Sequence, residues 1–132
     1  IKLGAADELR LGNLDASRDW GYAPDYVQAM WEMLQMPEPG NFVIATGKSW
    51  TIRDFIEKTF SLASLDPWKY VKQDRKFYRA LDVNHLLGEP DRAVKAFGFI
   101  PLKTPLDELI RIMLEADLAL QQGDSSVTIE WS

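Results

Sequence analysis

Eight glycines are scattered through this 132-residue sequence, and no two of them fall within six residues of each other. That spacing excludes two phosphate-cradling turns. Both G-x-G-x-x-G and G-x-x-x-x-G-K-[ST] need close glycines so that backbone N–H groups can approach a phosphate. Other chemistries fall to composition. The chain has no Cys, which removes disulfides, thiolate zinc sites and a Cys nucleophile. His85 is the single histidine, so a multi-His metal site is impossible. Fifteen Lys and Arg stand against 20 Asp and Glu, a net charge of −5, which disfavours a nucleic-acid partner because phosphate neutralisation needs clustered cations. No run approaches the roughly 18 apolar residues of a membrane span, and no signal peptide is visible. With 46% hydrophobic residues the chain can bury a core, and we expect a soluble, cytoplasmic domain.

Short strands and helices are expected to alternate. Residues 1–9 read as the end of a helix, and Arg10 to Gly12 as a short strand. From Tyr22 to Gln35 the period is helical, with Ala23, Val27, Met30, Trp31 and Leu34 on one face. The apolar run Phe42 to Thr46 has the length and composition of a strand buried on both faces. Thr51 is placed to cap a helix that buries Ile52, Phe55, Ile56, Phe60 and Ala63. Tyr70 to Lys72 is a further short strand. Pro90 opens a short helix that turns Ala93, Val94 and Phe97 inward and closes at Gly98. Thr104 is expected to cap the last helix, with Asp107 and Glu108 at its positive end and Leu106, Leu109, Ile110, Met113 and Leu120 buried. The tail alternates at Val127, Ile129 and Trp131.

Two polar segments carry the candidate chemistry. In Leu11 to Gly21 (LGNLDASRDWG), Gly12 and Gly21 allow tight turns and Asn13 can satisfy loop amides. Arg18 stands beside Asp19 and Trp20, so a carboxylate and an aromatic plane could hold its guanidinium rigid enough to read a phosphate or a base edge. The same residues could equally form a loop brace with Trp20 in the core. In Lys72 to Arg79 (KQDRKFYR), four positive charges and one negative reverse the acidic balance of the chain. Arg79 suits phosphate, and Asp82 could accept hydrogen bonds from a ribose diol; an ordinary solvated basic loop is the alternative. His85 reads as a helix or turn residue.

At these segments the chain resembles the GDP-mannose 4,6-dehydratases, a family of extended short-chain dehydrogenases/reductases. The resemblance is carried by LGNLDASRDWGYAPDYVQAMWEMLQ (11–35), Phe42 to Gly47, Arg53 to Glu57, Phe77-Tyr-Arg79, Gly88-Glu-Pro90 and Phe97 to Pro101, in order, over nearly all of residues 1–120. It implies oxidation at C4 of GDP-mannose by NADP, loss of water across C5 and C6, and return of hydride to C6, giving GDP-4-keto-6-deoxymannose. It also implies that only the smaller C-terminal, substrate-gripping portion is represented. The family's cofactor domain carries its own Tyr and Lys, whereas no Tyr here is followed four residues later by Lys. The family's substrate residues fall on Arg18, Arg79, Asp82 and Asn13. Its Arg-Pro-x-Glu-Val pattern reads Arg79-Ala-Leu-Asp-Val83, with Pro lost and Glu shortened to Asp. Trp50 stands where the family often has a small polar side chain or His.

The expectation is therefore an α/β fold, α+β in looser terms, with a few short strands, about five helices and no Rossmann domain. Residues 1–121 would form a GDP-mannose-binding portion and residues 122–132 an unmatched tail. No catalytic, cofactor-binding or metal-binding residue is expected here, NADP belonging to the full-length family. The ligand would be GDP-mannose or GDP, held weakly by this chain alone, which we expect to be a fragment inactive by itself. The alternative is a freestanding interaction or oligomerisation module, closed by self-association or by a chain that supplies the missing domain.

Overall fold

Leu9 and Leu11 flank Arg10 with the alternation of a half-buried strand, and the backbone follows that pattern. The computed structural model describes residues 1–78 and 83–123. In chain order these form β1 (Leu9–Leu11), β2 (Ser17–Asp19), α1 (Ala23–Leu34), β3 (Ser49–Thr51), α2 (Ile52–Leu62), α3 (Pro67–Tyr70), β4 (Val71–Gln73), a 3-10 turn (Arg75–Phe77), α4 (Asp91–Phe97) and α5 (Leu106–Gln121). The strands make two separate ribbons, β1 with β4 and β2 with β3. None of these helices is long and apolar enough to cross a membrane. The chain divides into two compact units, Ile1–Arg18 with Ser49–Leu86, and Asp19–Lys48 with Leu87–Ser132.

In the first unit β1 and β4 run parallel, Leu9 opposite Val71 and Leu11 opposite Gln73. Parallel pairing needs a crossover, and α2 with α3 supplies it. The core is Leu14, Ile56, Phe60 and Val71, with Leu9, Leu11, Ile52 and Tyr70 packed against it. Phe60 stacks on Tyr70 at 6.2 Å between ring centroids. The start of α2 is fixed as its sequence suggests. The Thr51 hydroxyl accepts from the Asp54 N–H (3.0 Å), and Asp54 accepts in return from the Thr51 N–H (2.9 Å) and hydroxyl (2.6 Å).

In the second unit Ala29, Ala93 and Phe99 are buried, with Tyr26, Phe42, Ile44 and Phe97 around them. Phe42 and Phe97 meet edge to face at 5.3 Å. Gly98 ends α4 in the left-handed conformation (φ 76°), donating its N–H to the Val94 carbonyl at 3.0 Å.

Several expectations are corrected. Residues 1–9 hold no helix before β1: Gly4 takes a left-handed turn (φ 74°) and bonds back to Ile1. Helix α1 forms where expected, but its apolar stripe faces solvent. Val27, Met30, Trp31 and Leu34 are 53, 57, 57 and 81% exposed, while Ala29 points into the core. Phe42 to Thr46 forms no ladder among the described residues. Phe42 and Ile44 reach the core while Val43 is exposed, because burial on both faces requires neighbouring strands. Helix α5 starts at Leu106 after Pro105, so Thr104 lies one residue outside the cap position. Its Leu106, Leu109 and Ile110 are buried, whereas Met113 and Leu120 are exposed, as is Val94 on α4. The alternation at Val127, Ile129 and Trp131 lies outside the described residues.

The capping box makes stability depend on pH. The hydroxyl and N–H of Thr51 hold the Asp54 carboxyl below its ordinary range. A carboxyl depressed in the folded state contributes stability that is complete above its unfolded pKa of about 3.9 and is lost as pH falls through the folded value. Thermal midpoints should therefore drop below about pH 4, and Asp54→Asn should flatten that part of the profile. At neutral pH Thr51→Ala should cost about 1 kcal/mol in urea denaturation.

Candidate functional site

The polar segment after β1 is held by its own alternation. Leu14 and Ala16 are buried, so Asn13, Asp15 and Ser17 point outward. A cavity of about 320 Å³ opens beside this segment, within the first unit. Arg10, Asn13 and Arg18 supply its polar groups; Leu11, Ile52 and Phe77 supply apolar wall; Gly12 completes the lining. The volume lies at the lower end of the range for small-molecule sites, roughly 300–1,000 Å³.

Each side chain has a defined support. Asn13 closes a turn by accepting the Asp15 N–H at 3.0 Å, and its amide reaches Asn84 Oδ1 at 3.5 Å. Arg18 Nη1 donates to the carbonyls of Ser17 (2.8 Å) and Val83 (2.7 Å). The Asp19 carboxylate accepts from Thr46, Gly47 and Gly88. Backbone carbonyls anchor Arg18. Arg10 pairs with Glu8 at 2.6 Å and with Asp74 at 3.5 Å, and these bonds, Glu8 foremost, push its pKa further up.

In the basic segment Lys72, Arg75 and Lys76 are solvated. Asp74 caps the 3-10 turn by accepting the Lys76 N–H at 3.0 Å. Arg79 and Asp82 lie outside the described residues. Of the four expected substrate contacts, the cavity thus brings together Asn13 and Arg18.

Three residues take part in contacts that the sequence did not reveal. Gly12 is needed for a close approach: a Cβ there would collide with the Phe77 carbonyl oxygen. Phe77, read only as part of a matching segment, lines the cavity. His85, read as a helix or turn residue, instead bridges to Ser17, whose Oγ lies 2.6 Å from His85 Nδ1. Among the described residues His85 makes no second hydrogen bond, so the pair lacks the orienting group of a hydrolytic triad.

A nicotinamide dinucleotide does not fit these residues. Pyrophosphate is normally held at a glycine-rich turn and the positive start of a helix. Here the first turns of α1, α2, α4 and α5 already carry Asp25, Asp54, Asp91, and Asp107 with Glu108. Gly12 is crowded by backbone. No redox step is derived through this chain.

The mixed α/β arrangement is that of epimerases and dehydratases of the extended short-chain dehydrogenase/reductase class. The structure of RMD from Pseudomonas aeruginosa, complexed with NADPH, matches with a TM-score of 0.74 and 27% identity, over 86% of this chain and 37% of that one. The family model for GDP-mannose 4,6 dehydratase matches residues 1–113, and the chain belongs to that family. GDP-mannose 4,6 dehydratase 1 of Arabidopsis thaliana is 40% identical over 125 residues, covering 94% of this chain and 34% of the plant protein. The Homo sapiens GDP-mannose 4,6 dehydratase is 40% identical over 139 residues, covering 92% and 37%. The chain thus spans about a third of the length of the curated relatives it matches, corresponding to their C-terminal part.

The approach at Gly12 can be tested directly. Gly12→Ala forces a methyl group against the Phe77 carbonyl, and overpacking of this kind costs about 1–3 kcal/mol. Urea denaturation should show that loss; a midpoint equal to that of the unmodified chain would contradict the geometry.

Proposed function

We propose that residues 1–121 are the nucleotide-sugar-binding portion of a cytoplasmic GDP-mannose 4,6-dehydratase. The full-length enzyme would convert GDP-mannose to GDP-4-keto-6-deoxymannose and water, NADP taking up a hydride and returning it when bound, with cofactor and reacting groups held on other residues. The observation that carries this reading is the cavity in which Arg18 and Asn13 meet, within the residues that the family model matches. Arg18 and Arg79 bind phosphate, Asp82 accepts from the ribose, and Asn13 shapes the turn and faces the ligand. A charge-assisted hydrogen bond contributes about 1.5–3 kcal/mol, and association costs offset much of that. The chain by itself therefore holds GDP weakly and does not transform it.

Calorimetry with GDP and GDP-mannose tests the reading. Millimolar or tighter binding, lost in Arg18→Ala while the circular dichroism spectrum is kept, is the expected result. Turnover of GDP-mannose by the purified chain with added NADP would overturn the claim that it only holds substrate.

A second reading is favoured by the bare stripe on α1. Val27, Met30, Trp31 and Leu34 form one exposed apolar helix face, of the kind that marks an interaction surface. On this reading the chain is an interaction module that covers the stripe with a second copy or with a chain supplying the cofactor domain. Light scattering after size exclusion separates the readings. A stable dimer that Leu34→Glu converts to monomer, together with no GDP binding, favours the module; a monomer that binds GDP favours the substrate-binding portion.

A further inference from the structure

We propose that Phe77 is the base platform of the cavity, its ring stacking on the nucleobase and favouring the broad face of a purine. The inference rests on the nucleotide-binding reading above and adds a specificity residue to it. Phe77 is the aromatic residue among those lining the cavity, and it is 56% exposed. Its position is nevertheless tightly specified. The Asp74 N–H donates to the Leu11 carbonyl at 2.8 Å, and the Phe77 N–H donates to the Asp74 carbonyl at 3.1 Å. The Asp74 side chain caps the same turn, and the Phe77 carbonyl lies against Gly12 so closely that no side chain fits between them.

A ring presented to solvent from a backbone tied at these points needs little further ordering when a flat ligand arrives. Leu11 and Ile52 add apolar wall, while Asn13 and Arg18 add polar groups suited to base edges and phosphate. At about 320 Å³ the cavity is of a size to take a nucleoside. Stacking scales with the area of the π-face, so a purine gains more from Phe77 than a pyrimidine does.

Proton NMR titration of GDP with the 132-residue chain tests the platform. The ring current should move the guanine H8 signal upfield. Phe77→Leu keeps apolar bulk but should abolish that shift and weaken GDP about tenfold. Phe77→Tyr should retain both the shift and the affinity. GDP should bind more tightly than UDP, and the preference should collapse in Phe77→Leu. Inorganic pyrophosphate should bind the Phe77→Leu chain unchanged and the Arg18→Ala chain more weakly. If Phe77→Leu binds GDP as well as the unmodified chain does, or weakens pyrophosphate equally, the platform is refuted while the GDP reading stands. If the unmodified chain binds neither GDP nor pyrophosphate, the GDP reading falls and the platform with it.

Discussion

The first two N–H groups of α2 donate to the carbonyls of Ala16 and Leu14, each at 3.0 Å. Helix starts leave such donors without partners inside the helix, and here the loop that carries the candidate site satisfies them. The same residues put their side chains into the core, at 2% exposure for Leu14 and 0% for Ala16. Loop and helix therefore stabilise each other, and the loop cannot shift without exposing apolar surface and freeing two donors at the helix start. Asn13 and Arg18, outside the two buried positions, inherit their placement from that lock. The Arg53–Asp15 ion pair at 3.0 Å runs alongside, but both groups are exposed and it adds little.

The second unit has its own lock, a single carboxylate. Asp19 accepts from the Thr46 N–H (3.0 Å) and hydroxyl (2.6 Å), from the Gly47 N–H (3.0 Å) and from the Gly88 N–H (3.3 Å). Hydrogen bonds to an ionised acceptor contribute more than neutral ones, about 1.5–3 kcal/mol against about 1. Thr46 is the buried polar residue of this unit, and Asp19 removes the penalty of its burial. Gly47 takes the left-handed turn (φ 71°) that brings its N–H to the same carboxylate. Arg18 lines the cavity, and the next residue, Asp19, holds loops of the second unit together.

How much was legible follows from how local each feature is. The start of α2 could be read because Thr51 and Asp54 are three residues apart and cap each other. The turn at Gly98 could be read because a left-handed residue after a short apolar helix leaves glycine as the favoured choice. Along α1 the apolar period located the helix but misjudged its covered face: periodicity records which side chains share a face, not whether the described residues supply a surface to meet it. Phe42 to Thr46 fails for the same reason, its composition asking for sheet neighbours that the described residues do not provide. At the site, Asn13 and Arg18 stood out as polar residues between two glycines. Gly12 reads as a turn residue and Phe77 as part of a matching segment, but their mutual approach is not legible, because a close backbone contact between distant segments leaves no spacing pattern in either.

The charges around the cavity narrow what it can hold. Arg10 is exposed and already paired with Glu8 and Asp74, so an arriving anion would have to compete with two carboxylates for it. Arg18 Nη1 donates to the carbonyls of Ser17 and Val83, which orients the guanidinium. A guanidinium carries five donors in a rigid fork, so fixing one nitrogen sets the direction of the others. That is preorganisation, and it lowers the ordering cost of binding rather than adding contacts. With the Arg18 guanidinium, an apolar wall and an aromatic residue, the cavity suits a ligand that is flat at one end and anionic beyond it. Selection of the nucleotide can reside on these residues while the chemistry at the sugar is carried elsewhere.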